Sequence, residues 1–240
     1  MIDPVEKSTE VPRVAAGAPC CACLEVEPAL VLDGRLALYH RTQRWLAVAD
    51  LHFGYEMSRR RAGGLWPMWG METVQERLRA LVQSYAPATL ILVGDIVDSS
   101  AAPDEAIAWL HGLTELGADL VLIEGNHDRG VIRRHFDFVK SHRVEGFFFH
   151  HGHLALQPDA IGAGESLVEI TGHRHPSFRF RDGAGTVLTL PSLVMETRPD
   201  SPMRHAVLPA FSPWAGGGTY QPTGSIRQWA CSRQRVFEVG

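Results

Sequence analysis

Five short stretches carry side chains suited to holding two metal ions: Asp50-Leu51-His52, Gly94-Asp95-Ile96-Val97-Asp98, Gly125-Asn126-His127-Asp128, His151-Gly152-His153 and Gly172-His173-Arg174-His175. Together they offer carboxylate, amide and imidazole ligands, the mixed oxygen and nitrogen set that divalent cations favour. Two such ions ~3.5–4 Å apart acidify a bridging water and neutralise charge on a phosphoryl group, so the reaction class implied is hydrolysis at phosphorus. One carboxylate must bridge, and Asp95 is the candidate. Asp50, His52 and His175 are assigned to the first ion, and Asn126, His151 and His173 to the second.

Those residues need rigid elements that end where the ligands begin. Trp45–Ala49, Thr89–Val93 and Asp119–Ile123 read as buried strands delivering Asp50, Gly94-Asp95 and Gly125-Asn126. Between them, Val74, Leu78, Leu81 and Val82 recur at helical spacing over Met71–Tyr85, which Pro87 ends. Pro103 opens a second helix with Ala106, Ile107, Leu110 and Leu113 on one face. Ala29–Leu32 and Leu36–Tyr39 flank Asp33-Gly34, which reads as a hairpin turn. Beyond residue 138 the chain turns to short β runs (Phe147–His150, Leu167–Ile170, Phe178–Phe180, Thr186–Leu190), with Ile226–Val239 as a final strand region and Gly216-Gly217-Gly218 as a loop. This pattern predicts an α/β fold: a four-layer α-β-β-α sandwich of two mixed sheets with flanking helices, the metal site lying at the strand C-terminal ends. Residues 1–24, rich in small residues and Pro, are expected to form a loosely ordered tail before a single domain over 25–240.

Composition narrows the setting. The 240 residues are 45% hydrophobic and carry a net charge of −4, so no global basic field advertises nucleic-acid binding. Lys7 and Lys140 are the only lysines, and the remaining basic residues are arginines, which suit bidentate phosphate recognition. Cys20, Cys21, Cys23 and Cys231 match no zinc spacing and are read as structural or incidental. The start of the chain has no signal-peptide pattern and no stretch reaches the length of a membrane span, so a cytoplasmic location and no membrane contact are expected.

In order and spacing these stretches resemble the calcineurin-like metallophosphoesterase superfamily, with its DxH, GDxxD, GNH[DE], lone His and GHxH motifs; the match runs over roughly residues 46–176. Arg59-Arg60-Arg61-Ala62-Gly63-Gly64 and the run from Val207 to Gly217 are similar to the Mre11/SbcD-related small phosphoesterases, most closely the ligase-associated group. That resemblance implies a manganese-dependent phosphodiesterase acting as a DNA endonuclease on single-stranded DNA. A DNA helicase and an ATP-dependent DNA ligase would be its functional neighbours, in DNA repair. Of the three histidines His150, His151 and His153, the family pattern points to His151, directly before Gly152. It also implies His127 as general acid, with Asp98 and Asp128 orienting imidazoles.

Arg59 and Arg174 are the substrate-binding candidates, with Arg60, Arg61 and Arg129 nearby in sequence; Trp66 and Trp69 are expected mainly to pack, with base stacking as the alternative. The expected cofactors are two divalent ions, Mn²⁺ first, with Fe, Zn, Ni and Co also compatible with the ligand set. Three other functions stay open. One is a small-molecule phosphoesterase acting on nucleotides or phosphomonoesters; another is a non-catalytic scaffold, against which the intact ligand set argues. A lipid-precursor hydrolase is disfavoured by the short span between His151 and His173 and by His127, where that branch has Arg.

Overall fold

We describe the chain from a computed structural model covering residues 23–98, 102–128, 130–154, 167–181, 183–199, 201, 203–218 and 220–239. Residues 1–22 of the expected tail, with Cys20 and Cys21, lie outside the described residues, as does Arg129.

The first sheet begins as a meander: β1 (Cys23–Glu27), β2 (Leu30–Asp33), β3 (Ala37–His40) and β4 (Trp45–Ala49) pair antiparallel in that order. The β2–β3 turn closes where Asp33-Gly34 placed it, Leu36 N–H donating to the Asp33 carbonyl at 2.8 Å. From β4 the sheet becomes parallel through β5 (Thr89–Val93), β6 (Asp119–Ile123) and the short β7 (Phe138–Val139). Parallel strands require crossovers, and helices supply them. α1 (Tyr55–Arg61) and α2 (Gly70–Tyr85) join β4 to β5, and α3 (Pro103–Thr114) joins β5 to β6. α2 buries Val74, Leu78, Leu81 and Val82, the residues its periodicity singles out. It stops at Ala86, whose backbone turns left-handed (φ 40°) ahead of Pro87. Pro103 starts α3 where its missing N–H costs nothing, followed by Asp104 and Glu105 at the positive end of the helix dipole.

The second sheet runs in the order β15-β14-β12-β13-β10-β9-β8 and is likewise mixed. Its strands are β8 (Ser141–Val144), β9 (Phe147–His150), β10 (Val168–Thr171), β12 (Val187–Thr197), β13 (Arg204–Val207), β14 (Ser225–Cys231) and β15 (Val236–Val239). β9, β10 and β13 are parallel neighbours, and β11 (Ser177–Arg181) pairs with the first half of β12. The sequence shows only the start of β12. Pro191 sits where its partner changes from β11 to β13 and β14, so the missing N–H falls at a join between ladders.

The sheets pack face to face. Trp45 of β4 meets Phe149 of β9 edge-on, ring centroids 5.1 Å apart, and Trp229 of β14 is buried in the same cluster with Leu193 and Met195. Burying one such aromatic ring stabilises the fold by roughly 2–3 kcal/mol. Among the described residues, every helical segment lies between residues 55 and 134, in the connections of the first sheet.

On β12, Leu193 and Met195 enter the core, which leaves Glu196 on the other face. Its carboxylate is nonetheless buried, accepting hydrogen bonds from Tyr220 Oη (2.6 Å), Thr223 Oγ1 (2.9 Å), Gly224 N (2.7 Å) and the Arg198 guanidinium. Burial alone would raise this carboxyl, but the bonds from Tyr220, Thr223 and Arg198 outweigh it and hold it at about 2. Such a depressed group stabilises the fold above the unfolded value of 4.5 and loses that contribution as pH falls towards 2. Glu196→Gln should therefore cost on the order of 3 kcal/mol at pH 7, about 6–12 °C of Tm. The Tm gap to wild type should narrow below pH 4.5; a gap independent of pH would show that charge has no part in it.

Candidate metal centre

Every ligand candidate follows a strand. Asp50 leaves β4, Asp95 leaves β5 through Gly94, Asn126 leaves β6, His151 leaves β9, and His173 and His175 leave β10. Because β4, β5 and β6 are parallel, as are β9 and β10, the carboxyl ends in each set open on one edge. The sheets meet there: Ala49 bridges Ala210, and Ser212 N–H donates to the Asp50 carbonyl at 3.0 Å.

The backbone is held in an unusual state at this edge. Asp50, His52, Asp95, His173 and His175 all have positive φ, between 45° and 68°, a region that non-glycine residues seldom adopt. Such strain persists where surrounding contacts over-determine the geometry, and it gathers at functional sites. Two glycines make the close approach feasible. A Cβ on Gly94, itself at φ 73°, would lie 2.2 Å from His151 Nδ1, and one on Gly125 would lie 2.1 Å from the Asp95 amide.

The side chains converge in three overlapping groups: Asp50, His52 and His175; Asp95, His151 and His173; and His52, Asp95 and His127. In the first, His175 Nε2 stands 3.3 Å from Asp50 Oδ1. In the second, His151 Nε2 stands 3.3 Å from Asp95 Oδ2 and 3.3 Å from Asn126 Oδ1. Asp95 joins them: Oδ1 accepts the His127 N–H at 2.8 Å, leaving Oδ2 facing His151, His52 (3.9 Å) and His127 (4.0 Å). His151 enters this cluster, whereas His150 turns to the other side of β9 and pairs with Glu169 at 2.7 Å. His153 lies beside it, its ring 5.2 Å from that of His151.

Electrostatics follow from the crowding. Burial opposes charge on Asp95, yet His151, the His127 N–H and His52 hold its carboxyl well below the usual carboxylate range. Burial likewise opposes charge on Asp98, and the bond from His127, with the His52 imidazole 3.7 Å away, outweighs it. His127 Nδ1 is 3.2 Å from Asp98, and that bond raises the imidazole above its ordinary value against the effect of burial. Asp128 departs from the expected role of orienting an imidazole. Its carboxylate accepts backbone N–H groups of Ile96 and Val97 (both 2.9 Å) and Gly125 (2.8 Å), tying the second motif to the third. Burial pushes its carboxyl up to about 6. The reason is proximity: the turn that aims Asn126 leaves Asp128 next to amides that β5 and β6 cannot satisfy.

The arginines separate. Arg59, Arg60 and Arg61 form the exposed last turn of α1, and the Arg59 guanidinium lies 4.7 Å from the Tyr55 ring centroid. Arg174 is exposed and borders a hollow of about 260 Å³ with His150, Thr171 and His205 over the second sheet. Sequence reasoning overlooked Glu56, which is buried in α1 and accepts from Trp214 Nε1 at 2.9 Å and Met71 N at 2.7 Å. That contact brings the α1 region and the Val207–Gly217 run side by side. The only hint in the sequence is that both runs share one resemblance.

The residues fit a pair of divalent cations. His52 is buried with neither ring nitrogen hydrogen-bonded, a costly arrangement that a cation would relieve. Around it stand carboxylate and imidazole atoms of opposite preference, as a positive ion requires. When bound, the ions supply charge neutralisation at the phosphoryl oxygens and acidify water. The chain supplies the rest: Asp95 is shared by two of the three groups, and half-exposed His127 presents Nε2 towards Asp95 while Asp98 holds Nδ1.

The chain is similar to the crystal structure of Pseudomonas putida nuclease MPE, with a TM-score of 0.63 and 25% identity, covering 92% of this chain and 100% of that one. YfcE, a phosphoesterase from E. coli, gives a TM-score of 0.45 and 18% identity over 81% of this chain and 97% of that one. No curated protein matches. The model of the calcineurin-like phosphoesterase family matches residues 44–234, which include all five motifs: the chain belongs to the calcineurin-like phosphoesterase family of metal-dependent hydrolases.

Proposed function

We propose that the protein is a Mn²⁺-dependent phosphodiesterase that cuts single-stranded DNA internally. Asp50, His52 and His175 would hold one ion and Asn126, His151 and His173 the other, with Asp95 between them. The observation that carries this reading is the contrast in exposure across the site. Asp50 and Asp95 are buried, while His127 is 42% exposed and His175 24%. A polymer can lie across such a face without threading an end into a pocket. His127 would give its proton to the leaving sugar oxygen, a role that suits an imidazole near neutral pH. The similarity to a nuclease along nearly the whole chain supports the substrate class. A role in cytoplasmic DNA repair, with a helicase and an ATP-dependent ligase as functional neighbours, belongs to the same proposal.

A small-molecule phosphoesterase is the second reading. The hollow of about 120 Å³ beside His175, lined by Pro176, Ser177 and Thr189, favours it. That volume is well below the ~300 Å³ at which ligand pockets usually begin.

The deciding assay incubates the protein and Mn²⁺ with covalently closed circular single-stranded DNA, beside Asp95→Ala and a chelator control. Metal-dependent linearisation by wild type alone is the expected result. Intact circles, together with hydrolysis of a nucleotide or simple phosphomonoester, would replace this reading with the second.

A further inference from the structure

Four aromatic rings from three separate segments form a continuous surface beside the metal centre. Tyr55 meets Trp66 edge-on with centroids 5.3 Å apart, Trp66 meets Trp214 at 5.2 Å, and Trp214 meets Trp69 at 4.3 Å. This is not core packing. Trp69 is 44% exposed, the other three rings are half-buried, and the neighbouring Leu65 and Met68 are exposed as well. Nor is it a loose flap, since the buried Glu56 carboxylate fixes the Trp214 indole and the first turn of α2 together.

The surface is fastened to the proposed ligands at both ends. Tyr55 N–H donates to the His52 carbonyl at 3.0 Å. Trp214 N–H donates to Ser212 Oγ at 3.2 Å, and Ser212 N–H donates to the Asp50 carbonyl. Midway, Ser58 of α1 hydrogen-bonds Asp98. Arg59 completes the surface: its guanidinium sits over Tyr55, and Arg60 is exposed next to it.

Rigid aromatic faces bordered by arginine, adjoining a centre that hydrolyses phosphodiesters, match one ligand chemistry. Single-stranded nucleic acid presents π-faces and phosphates alternately, and every base has a face to stack, so such a platform needs no sequence preference. We propose that Trp69 and Trp214, with Tyr55 and Arg59 towards the metal centre, bind the strand flanking the scissile phosphate. Bases stack on the indoles and Arg59 holds a phosphate. This rests on the nuclease reading given above. It adds that affinity comes from unpaired bases, which makes single strands the substrate in spite of the acidic net charge.

The test compares a fluorescent dT20 strand with an abasic strand of equal length and charge. Anisotropy would be read on the full-length protein in Ca²⁺, with strand integrity checked on a gel. Wild type should bind dT20 at least about fivefold tighter, the ratio expected from one stacked base. Trp69→Ala should lower that ratio severalfold, the Trp214 indole retaining the remainder, with bound Mn²⁺ and Tm unchanged. Arg59→Ala should weaken both strands alike.

A wild-type ratio near one, or a ratio unchanged by Trp69→Ala, would overturn the platform. If Trp69→Ala leaves the ratio intact and instead shifts the protein between oligomeric states, the patch docks protein. If Trp69→Ala does not fold, Trp69→Phe, which keeps a stacking face, must retain a ratio above one. Hydrolysis of bis(p-nitrophenyl) phosphate by a wild type that neither binds nor nicks single strands would sink the nuclease reading itself, and the platform with it.

Discussion

Asp95→Asn should lower turnover of any phosphodiester by at least ~10³-fold and reduce bound metal from two ions per chain to one or none. The substitution preserves shape. An amide oxygen can still accept the His127 N–H that Asp95 Oδ1 receives at 2.8 Å, so the turn after β5 should keep its form. What disappears is the negative charge at Oδ2, the atom that faces His151, His52 and His127. Among the described residues no other carboxylate is shared by two of the three candidate groups; Asp50 belongs to one of them, and Asp98 and Asp128 to none. Metal-supplied stabilisation of transition-state charge is worth several kcal/mol, and each 1.36 kcal/mol is tenfold in rate. Metal analysis on gel-filtered protein with steady-state hydrolysis of bis(p-nitrophenyl) phosphate would check both halves. Two ions retained with normal turnover would remove Asp95 from the centre of the site. Two ions retained with turnover lost would make its charge important in the transition state but not for binding.

How far the sequence reveals this site depends on the kind of constraint each residue obeys. β4, β5 and β6 are legible because buried parallel strands are apolar runs, and Gly94 and Gly125 after β5 and β6 mark where backbone and side chain crowd together. α2 and α3 are legible from period and from Pro87 and Pro103. β1 is hidden: in Cys23–Glu27 only Val26 is fully buried, and its pairing with β2 is a tertiary contact with little local signature. α1 is hidden for a related reason, as its Tyr55–Arg61 run carries three arginines and its single buried side chain is the acidic Glu56. The motif residues show what could bind a metal, but not the left-handed backbone at five of them. Asp128 shows the same limit. A carboxylate beside histidines suggests an imidazole partner, and only the folded chain reveals the three amides it serves instead.

His127→Ala should reduce cleavage of DNA by roughly 10²–10⁴-fold, the range for loss of a general acid. Its effect on bis(p-nitrophenyl) phosphate should be far smaller. The reasoning turns on the leaving group: a sugar alkoxide needs a proton as its bond to phosphorus breaks, whereas p-nitrophenolate departs unassisted. On the proposed reading that proton would come from His127, whose Nδ1 is 3.2 Å from Asp98. The Asp98 bond, followed by the Asp95 charge, keeps His127 protonated to higher pH than an ordinary imidazole, against the opposing effect of burial. The acid is the protonated form, so the DNA-cleavage rate should fall as pH rises through this elevated value. Asp98→Asn removes the largest raising contact and should move that falling limb to lower pH, which a pH–rate profile would detect. The competing role is concrete, because His127 also stands with His52 and Asp95 in a group able to hold a cation. As a ligand, its removal would release metal and slow both substrates equally; as an acid, it leaves both ions bound and separates the substrates by their leaving groups.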